Sequence, residues 1–304
     1  MSLTASARLR AASAELAAAG VHSPRVDAEL LLAHLLGCGR SQLLLVDRLD
    51  PDRLAAYGEL IRRRVAGEPV QHLTGSAPFR RLELQVGPGV FIPRPETELI
   101  LELAAGALDG ARLVLDLCAG SGAIALSVAH EYPATEVLAV ERAAPALAWL
   151  TRNAEARAAA GDRPIEVVTG DVADPRLLAS LAGTVDVVLA NPPYVPDRSR
   201  NELGPEVGHD PADALFAGPD GLSLMPALLA TAARLLRSGG LLLVEHDQSH
   251  AEAVPALLRA GGQWREVADH RDLAGRPRFA GALRSDAPAP ARVSAARPPA
   301  RRPS

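Results

Sequence analysis

Five short apolar runs recur between residues 113 and 245: LVLDL (113–117), VLAVE (137–141), IEVV (165–168), VDVVLA (185–190) and LLLVE (241–245), with helix-like stretches between them. Runs so short and so evenly apolar read as strands buried on both faces. Strands of that kind alternating with helices pack as a parallel sheet covered on both sides, so an α/β domain is expected over 93–285. FAGALR (279–284) is a candidate last strand.

Upstream, residues 1–75 carry helical signals only. The first twenty residues read as an amphipathic helix and not as a targeting peptide, because Glu15 interrupts their basic character and their apolar residues are mostly alanine. Ser23-Pro24 offers a cap and a proline at the first helical position for DAELLLAHLLG (27–37), which stops at Gly37. Asp50-Pro51 repeats that signal for a helix running to about Gly67. Its Arg62, Arg63 and Arg64 read as a solvated face or as a contact for an acidic partner or RNA. Over 76–92 the pattern changes: RLELQV (81–86) alternates, Gly87-Pro88-Gly89 turns and VFIP follows, a β-hairpin linking a helical domain (1–75) to the sheet domain. Residues 286–304, rich in Pro, Ala and Arg, are expected to be a disordered basic tail.

Composition narrows the chemistry. All 32 basic residues are arginine, which removes Schiff-base, P-loop and lysine-centred acid–base mechanisms. A net charge of −4 argues against tight non-specific nucleic-acid binding. Two cysteines, Cys38 and Cys118, without a CxxC suit a reducing cytosol and give neither a disulfide framework nor a zinc site. The histidines, His246 and His250 included, show no metal-ligand spacing, so no metal is expected. No apolar run reaches the ~18 residues of a membrane span. A cytoplasmic monomer is expected, since no exposed apolar stripe is evident.

The loop Cys118-Ala119-Gly120-Ser121-Gly122 follows the first strand and opens a helix. Small residues there let backbone approach a ligand, although the same loop also suits a plain strand–helix turn. Glu141 ends the second strand roughly 20 residues past Gly120, where a carboxylate can accept both hydroxyls of a ribose, in a dinucleotide as well as in S-adenosylmethionine. Asp171 follows the third strand, placed either for an adenine amino group or as a helix cap. Cys118 reads as a small packed residue.

The deciding motif is Asn191-Pro192-Pro193-Tyr194, directly after the fourth strand. The prolines fix φ and lack N–H groups, so the loop is stiff and its carbonyls stay free. The Asn191 side-chain oxygen and the Pro192 carbonyl can together accept both hydrogens of a planar NH2 group, and Tyr194 can stack on it. This is a socket for an amide or an exocyclic amine. Holding both hydrogens directs a poorly nucleophilic nitrogen at a carbon electrophile, and alignment of this kind lowers a barrier by up to about 7–11 kcal/mol. The electrophile implied is the methyl of S-adenosylmethionine.

With these residues, the chain resembles the peptide chain release factor N5-glutamine methyltransferases of the HemK/PrmC type. DAELLLAHLLG, PVQHLTG (69–75), FIPRPETE (91–98), DLCAGSGAIALSVA (116–129), NPPYVP (191–196), DPADALFAGPDGL (210–222) and GGLLLVEH (239–246) carry the resemblance, in order. It implies a class I Rossmann-like methyltransferase domain, a mostly parallel seven-stranded sheet, behind a small all-helical domain. It implies methyl transfer from S-adenosylmethionine to the glutamine amide of the Gly-Gly-Gln motif in class 1 release factors. Residues 118–122, Glu141 and Asn191 would hold the cofactor, and Asp171 and Val172 would flank its adenine. Asn191, Pro192, Pro193 and Tyr194 would grip the glutamine amide. Phe91 and Arg94 would lie near the cofactor and the domain junction, and the helical domain would hold part of the release factor. The family's loop often begins Gly-x-Gly, whereas here side chains at Cys118 and Ala119 narrow the room; Asp210 stands where the family often has Glu. Three rivals stay open: an adenine or guanine N-methyltransferase on nucleic acid, a non-catalytic release-factor-binding protein, and a dinucleotide oxidoreductase.

Overall fold

The computed structural model describes residues 4–201 and 203–285; the expected tail at 286–304 lies outside them. Four helices open the chain: α1 (Ala5–Ala18), α2 (Pro24–Leu36), α3 (Pro51–Val65) and α4 (Val70–Thr74). Both proline start signals open helices where expected. Asp50 accepts from the Arg53 N–H at 2.8 Å, whereas Ser23 makes no side-chain cap bond. α2 stops at Gly37, whose φ of 63° is a left-handed conformation free of Cβ strain in glycine. The helices enclose their own core of Leu16, Leu31, Leu32, Tyr57 and Ile61, in which the Tyr57 hydroxyl donates to the Ala28 carbonyl at 2.8 Å.

A hairpin follows, β1 (Ser76–Phe79) and β2 (Leu82–Gln85), turning at Arg80-Arg81. This corrects the expected turn at Gly87-Pro88-Gly89. The alternating stretch is a strand, but its partner precedes it. Gly87 and Gly89 serve close packing on the following domain: a Cβ on Gly87 would lie 2.5 Å from Trp149, and one on Gly89 2.7 Å from Pro145. The hairpin is no bare linker either, since Phe79, Leu82 and Leu84 join the core of the sheet domain.

That domain runs α5 (Leu99–Leu108), β3 (Leu113–Leu117), α6 (Ala123–Glu131), β4 (Glu136–Glu141), α7 (Ala144–Ala159), β5 (Glu166–Thr169), β6 (Val185–Ala190), α8 (Ala212–Leu215), α9 (Met225–Leu235), β7 (Leu236–Glu245), α10 (Ala253–Ala260), β8 (Trp264–Arg271) and β9 (Pro277–Arg284). The seven strands β3–β9 form one sheet in the order β5-β4-β3-β6-β7-β9-β8. All run parallel except β9, which lies antiparallel to β7 and β8. Successive residues of β6 face opposite layers: Val187 and Leu189 pack with α5 and α6, Val188 and Ala190 with α9 and α10. Both layers are apolar, which is why these strands read as unbroken runs. The expected class, a mostly parallel seven-stranded Rossmann-like sheet behind a small helical domain, is the observed one. β8 carries no legible strand pattern: Trp264 is its one buried residue, Glu266 has a φ of 54° and the register shifts between Arg265 and Ala268.

Arg64 bolts the two parts together. Buried on α3, it donates to Asp27 of α2 at 2.8 Å and pairs with Glu206 of the sheet domain. Its side chain therefore belongs neither to a solvated face nor to a free contact surface; Arg62 and Arg63 are the exposed members and pair locally with Glu59 and Glu68. Among the described residues no helix is long and apolar enough to cross a membrane.

Candidate active site

Parallel strands deliver their carboxyl ends to one edge of a sheet. Leu117 pairs with Val140 on one side and Ala190 on the other, so the loops after β3, β4 and β6 emerge together. β3 is also where the order reverses, with β4 and β5 to one side and β6 and β7 to the other. A crevice opens at such a switch point, and ligands of α/β sheets bind there. Here it is a cavity of about 270 Å³.

One wall is the loop 118–122. Its shape comes from left-handed backbone at Cys118 (φ 67°), Gly120 (56°) and Gly122 (88°). Cys118, Ala119, Gly120 and Ser121 line the cavity, and a Cβ on Gly120 would meet nothing within 4 Å. Gly122 is not on the wall: it starts α6, where a Cβ would lie 2.6 Å from Leu150 and 3.0 Å from Leu126. It is small for helix packing and not for a ligand. Cys118 also packs against the core on the α9 side, and burial pushes its thiol up, so it stays protonated. Beneath the loop, buried Asp116 accepts from the Ala125 N–H at 3.0 Å, and burial pushes its carboxyl up to about 7.

Glu141 closes the neighbouring wall. One oxygen accepts from the Gly120 N–H at 2.9 Å, the other from the Arg142 and Ala143 N–H groups at 2.7 Å each. The carboxylate is thus fixed in place with one lone-pair site to spare. Asp171 accepts from the Ala173 N–H at 2.8 Å and, with Val172, also lines the cavity, so it is a turn-forming acid and a wall residue at once.

The opposite wall is Asn191, Pro192, Pro193 and Tyr194. Asn191 Nδ2 donates to Thr97 Oγ1 at 3.2 Å, and the Thr97 hydroxyl donates to one oxygen of Glu245 at 2.7 Å. The Tyr194 hydroxyl donates to the other oxygen at 2.8 Å. Glu245 ends β7 and sits beside Asn191 because Ala190 pairs with Val244. Burial pushes the Glu245 carboxyl up, while its bonds from Thr97 and Tyr194 pull the other way. Burial also holds the Tyr194 phenol well above its ordinary range, so it keeps its proton. Beyond it, the Val195 N–H donates to the Leu215 carbonyl at 2.8 Å, tying the loop to α8.

Phe91 and Arg94 line the cavity at the domain junction, with the Arg94 guanidinium 4.9 Å over the Phe91 ring. Arg94 pairs with Asp210, whose other oxygen accepts from the Ile92 N–H at 3.0 Å. One carboxylate thus clasps 91–94 onto the segment after the prolines. All the expected site residues except Gly122 therefore face one space.

Three polar residues matter beyond those the sequence marked. Thr97 and Glu245 carry no spacing signal of their own. Asn153 bonds to both backbone groups of Gln85, at 2.8 and 3.0 Å, and donates to the Ser121 carbonyl at 2.9 Å, stapling the hairpin to the loop 118–122. Its one signal was an amide on the buried stripe of α7 shared with Ala146 and Leu150. His246 is taken up by Asp269 at 2.8 Å and by the Asp247 carbonyl.

Two family models match on either side of the hairpin: the PrmC N-terminal domain over residues 8–75 and the Methyltransferase small domain over 88–218. The release factor glutamine methyltransferase of Mycolicibacterium smegmatis is 48% identical over 278 residues, covering 91% of this chain and 96% of its own. That of Streptomyces coelicolor is 46% identical over 284 residues, covering 92% and 98%. Among solved structures, the hMettl16 catalytic domain in complex with MAT2A 3'UTR hairpin 6 is similar with a TM-score of 0.52 at 16% identity, over 66% of this chain and 75% of that one. That last likeness speaks for the sheet alone. The first two extend through the helical domain, the junction and both cavity walls, and on their strength the chain belongs to the release factor glutamine methyltransferases.

Proposed function

We propose that this chain transfers the methyl group of S-adenosylmethionine to the side-chain amide nitrogen of the glutamine in the Gly-Gly-Gln motif of class 1 release factors. The observation that carries the reading is that a carboxylate-and-glycine wall and an Asn-Pro-Pro-Tyr wall open on one cavity. The residues present fit the cofactor. Glu141 keeps one lone-pair site, on Oε2, for a ribose hydroxyl, Asp171 and Val172 edge the place for a base, and the open side of Gly120 leaves room for a chain of atoms. Phe91 and Arg94 lie beside it. When bound, S-adenosylmethionine supplies an electrophilic methyl on sulfur.

The chain's own part is orientation. Asn191 Oδ1 and the Pro192 carbonyl accept the two hydrogens of the incoming carboxamide, the fixed φ of Pro192 and Pro193 keeps those acceptors in place, and Tyr194 stacks on the amide plane. Positioned so, the nitrogen lone pair would be free to take the methyl as its bond to sulfur breaks, and the amide proton would then pass to solvent. The helical domain, with its separate core, holds part of the release factor; the sheet domain holds the cofactor. The protein works as a monomer in the cytoplasm and needs no stable hold on nucleic acid.

The test is to incubate the protein with labelled S-adenosylmethionine and either purified release factor or RNA, and to map the methyl by mass spectrometry. Label on the release-factor glutamine is expected. Label on RNA alone, or cofactor binding without any transfer, contradicts the reading.

A further inference from the structure

We propose that Glu245 and Thr97 are positioning residues that set which way the Asn191 carboxamide faces, so that its oxygen and not its NH2 points to the incoming group. The inference rests on the methyl-transfer reading above and adds the source of the socket's polarity.

The chain of contacts begins at its buried end. Glu245 is 1% exposed, and both its oxygens are occupied by hydroxyls, Thr97 at 2.7 Å and Tyr194 at 2.8 Å. An ionised carboxylate only accepts, so each hydroxyl must spend its single hydrogen on it. Burial works against the ionised form and Glu96 adds an opposing charge, while the two hydroxyl bonds and the nearby Arg278 of β9 work for it. Once its hydrogen is spent, Thr97 Oγ1 can only accept. The partner facing it at 3.2 Å is the Asn191 amide, which therefore presents Nδ2. Turned over, the amide would set Oδ1 against a hydroxyl oxygen with no hydrogen between them, leaving both acceptors unpaired at that contact. With Nδ2 committed, Oδ1 is left to accept a substrate hydrogen. Polarity thus passes from carboxylate to hydroxyl to amide to substrate, and three elements contribute: the end of β7, the turn before α5 and the loop after β6.

Two kinds of measurement test this. The first is independent of turnover. In the ligand-free protein, NMR should show cross-relaxation between the Asn191 side-chain NH2 and the Thr97 side chain, lost in Glu245→Gln, where an amide in place of the carboxylate lets Thr97 donate and Asn191 turn over. Absence of that contact in the unaltered protein overturns the proposal. The second compares Thr97→Val with Thr97→Ser, using purified release factor and S-adenosylmethionine. Thr97→Val keeps the shape and loses the hydroxyl, so kcat should fall about 100-fold, with KM for the release factor and calorimetric cofactor affinity little changed. Thr97→Ser should restore most of the rate. Thr97→Val with near-normal kcat, or equal losses in both variants, overturns the relay. If the unaltered protein transfers no methyl to the release factor, the functional reading fails, and the NMR contact still decides the relay.

Discussion

The two walls of the cavity are built in opposite ways. The loop 118–122 takes its course from its own backbone: three of its five residues have left-handed φ, and its small residues leave the space. The loop 191–194 takes its stiffness from two prolines, but its direction is borrowed, since Asn191 and Tyr194 are both held through Glu245, which lies 51 residues beyond Tyr194 in sequence. The first wall takes its shape from a segment, which Glu141 and Asn153 then pin from outside; the second takes its direction from the fold. A backbone-built wall suits a cofactor that is always the same, and a side-chain-built socket suits a reacting group whose two hydrogens need acceptors of one defined polarity.

Substitutions on each side sharpen the contrast. The largest effect is expected from Asn191→Ala, which removes one substrate acceptor from the borrowed wall: kcat should fall about 100–1000-fold, with the fold spared. Substantial turnover in that variant, followed with labelled cofactor, would contradict the socket. Next comes Gly122→Ala, which strains a left-handed position and drives a methyl into Leu150 and Leu126. A loss of about 2–4 kcal/mol in denaturant unfolding is expected, and a loss below about 1 kcal/mol would mean that the backbone-built wall yields easily. The smallest effect belongs to Cys118→Gly. Relief of left-handed strain is partly offset by the entropy of glycine, so stability should rise by less than about 1 kcal/mol with transfer intact. A marked fall in kcat would show that the thiol takes part in the site after all.

The same contrast explains what could be read from the chain in advance. The sheet was legible because double-sided burial leaves unbroken apolar runs, and the helix starts were legible because Asp50-Pro51 and Gly37 act within a few residues of themselves. The cavity loops were legible as motifs for the same reason. What stayed hidden is non-local. Thr97 and Glu245 lie within FIPRPETE and GGLLLVEH, but nothing local gives either a role until the fold sets them beside Asn191. Arg64 looks like one of three surface arginines until Asp27 and Glu206 close on it. The hairpin turn is not where composition points, because Gly87-Pro88-Gly89 has the make-up of a turn, while its actual task, close approach to α7, involves Trp149 and Pro145 far along the chain. β8 was silent because its backbone irregularities erase the alternation that would have marked it.

The position of β9 has a consequence for how the molecule comes into being. It follows every other strand in sequence, yet it lies between β7 and β8 and brings Phe279 alongside Glu245. While the chain is being synthesised, β7 must wait with an open edge, and its terminal carboxylate lacks the cation that Arg278 brings. A nascent chain can therefore assemble the glycine-rich wall early, but it completes the Asn-Pro-Pro-Tyr wall only when the last strand slots home. A product stopped short of that strand would retain much of the fold without a finished socket.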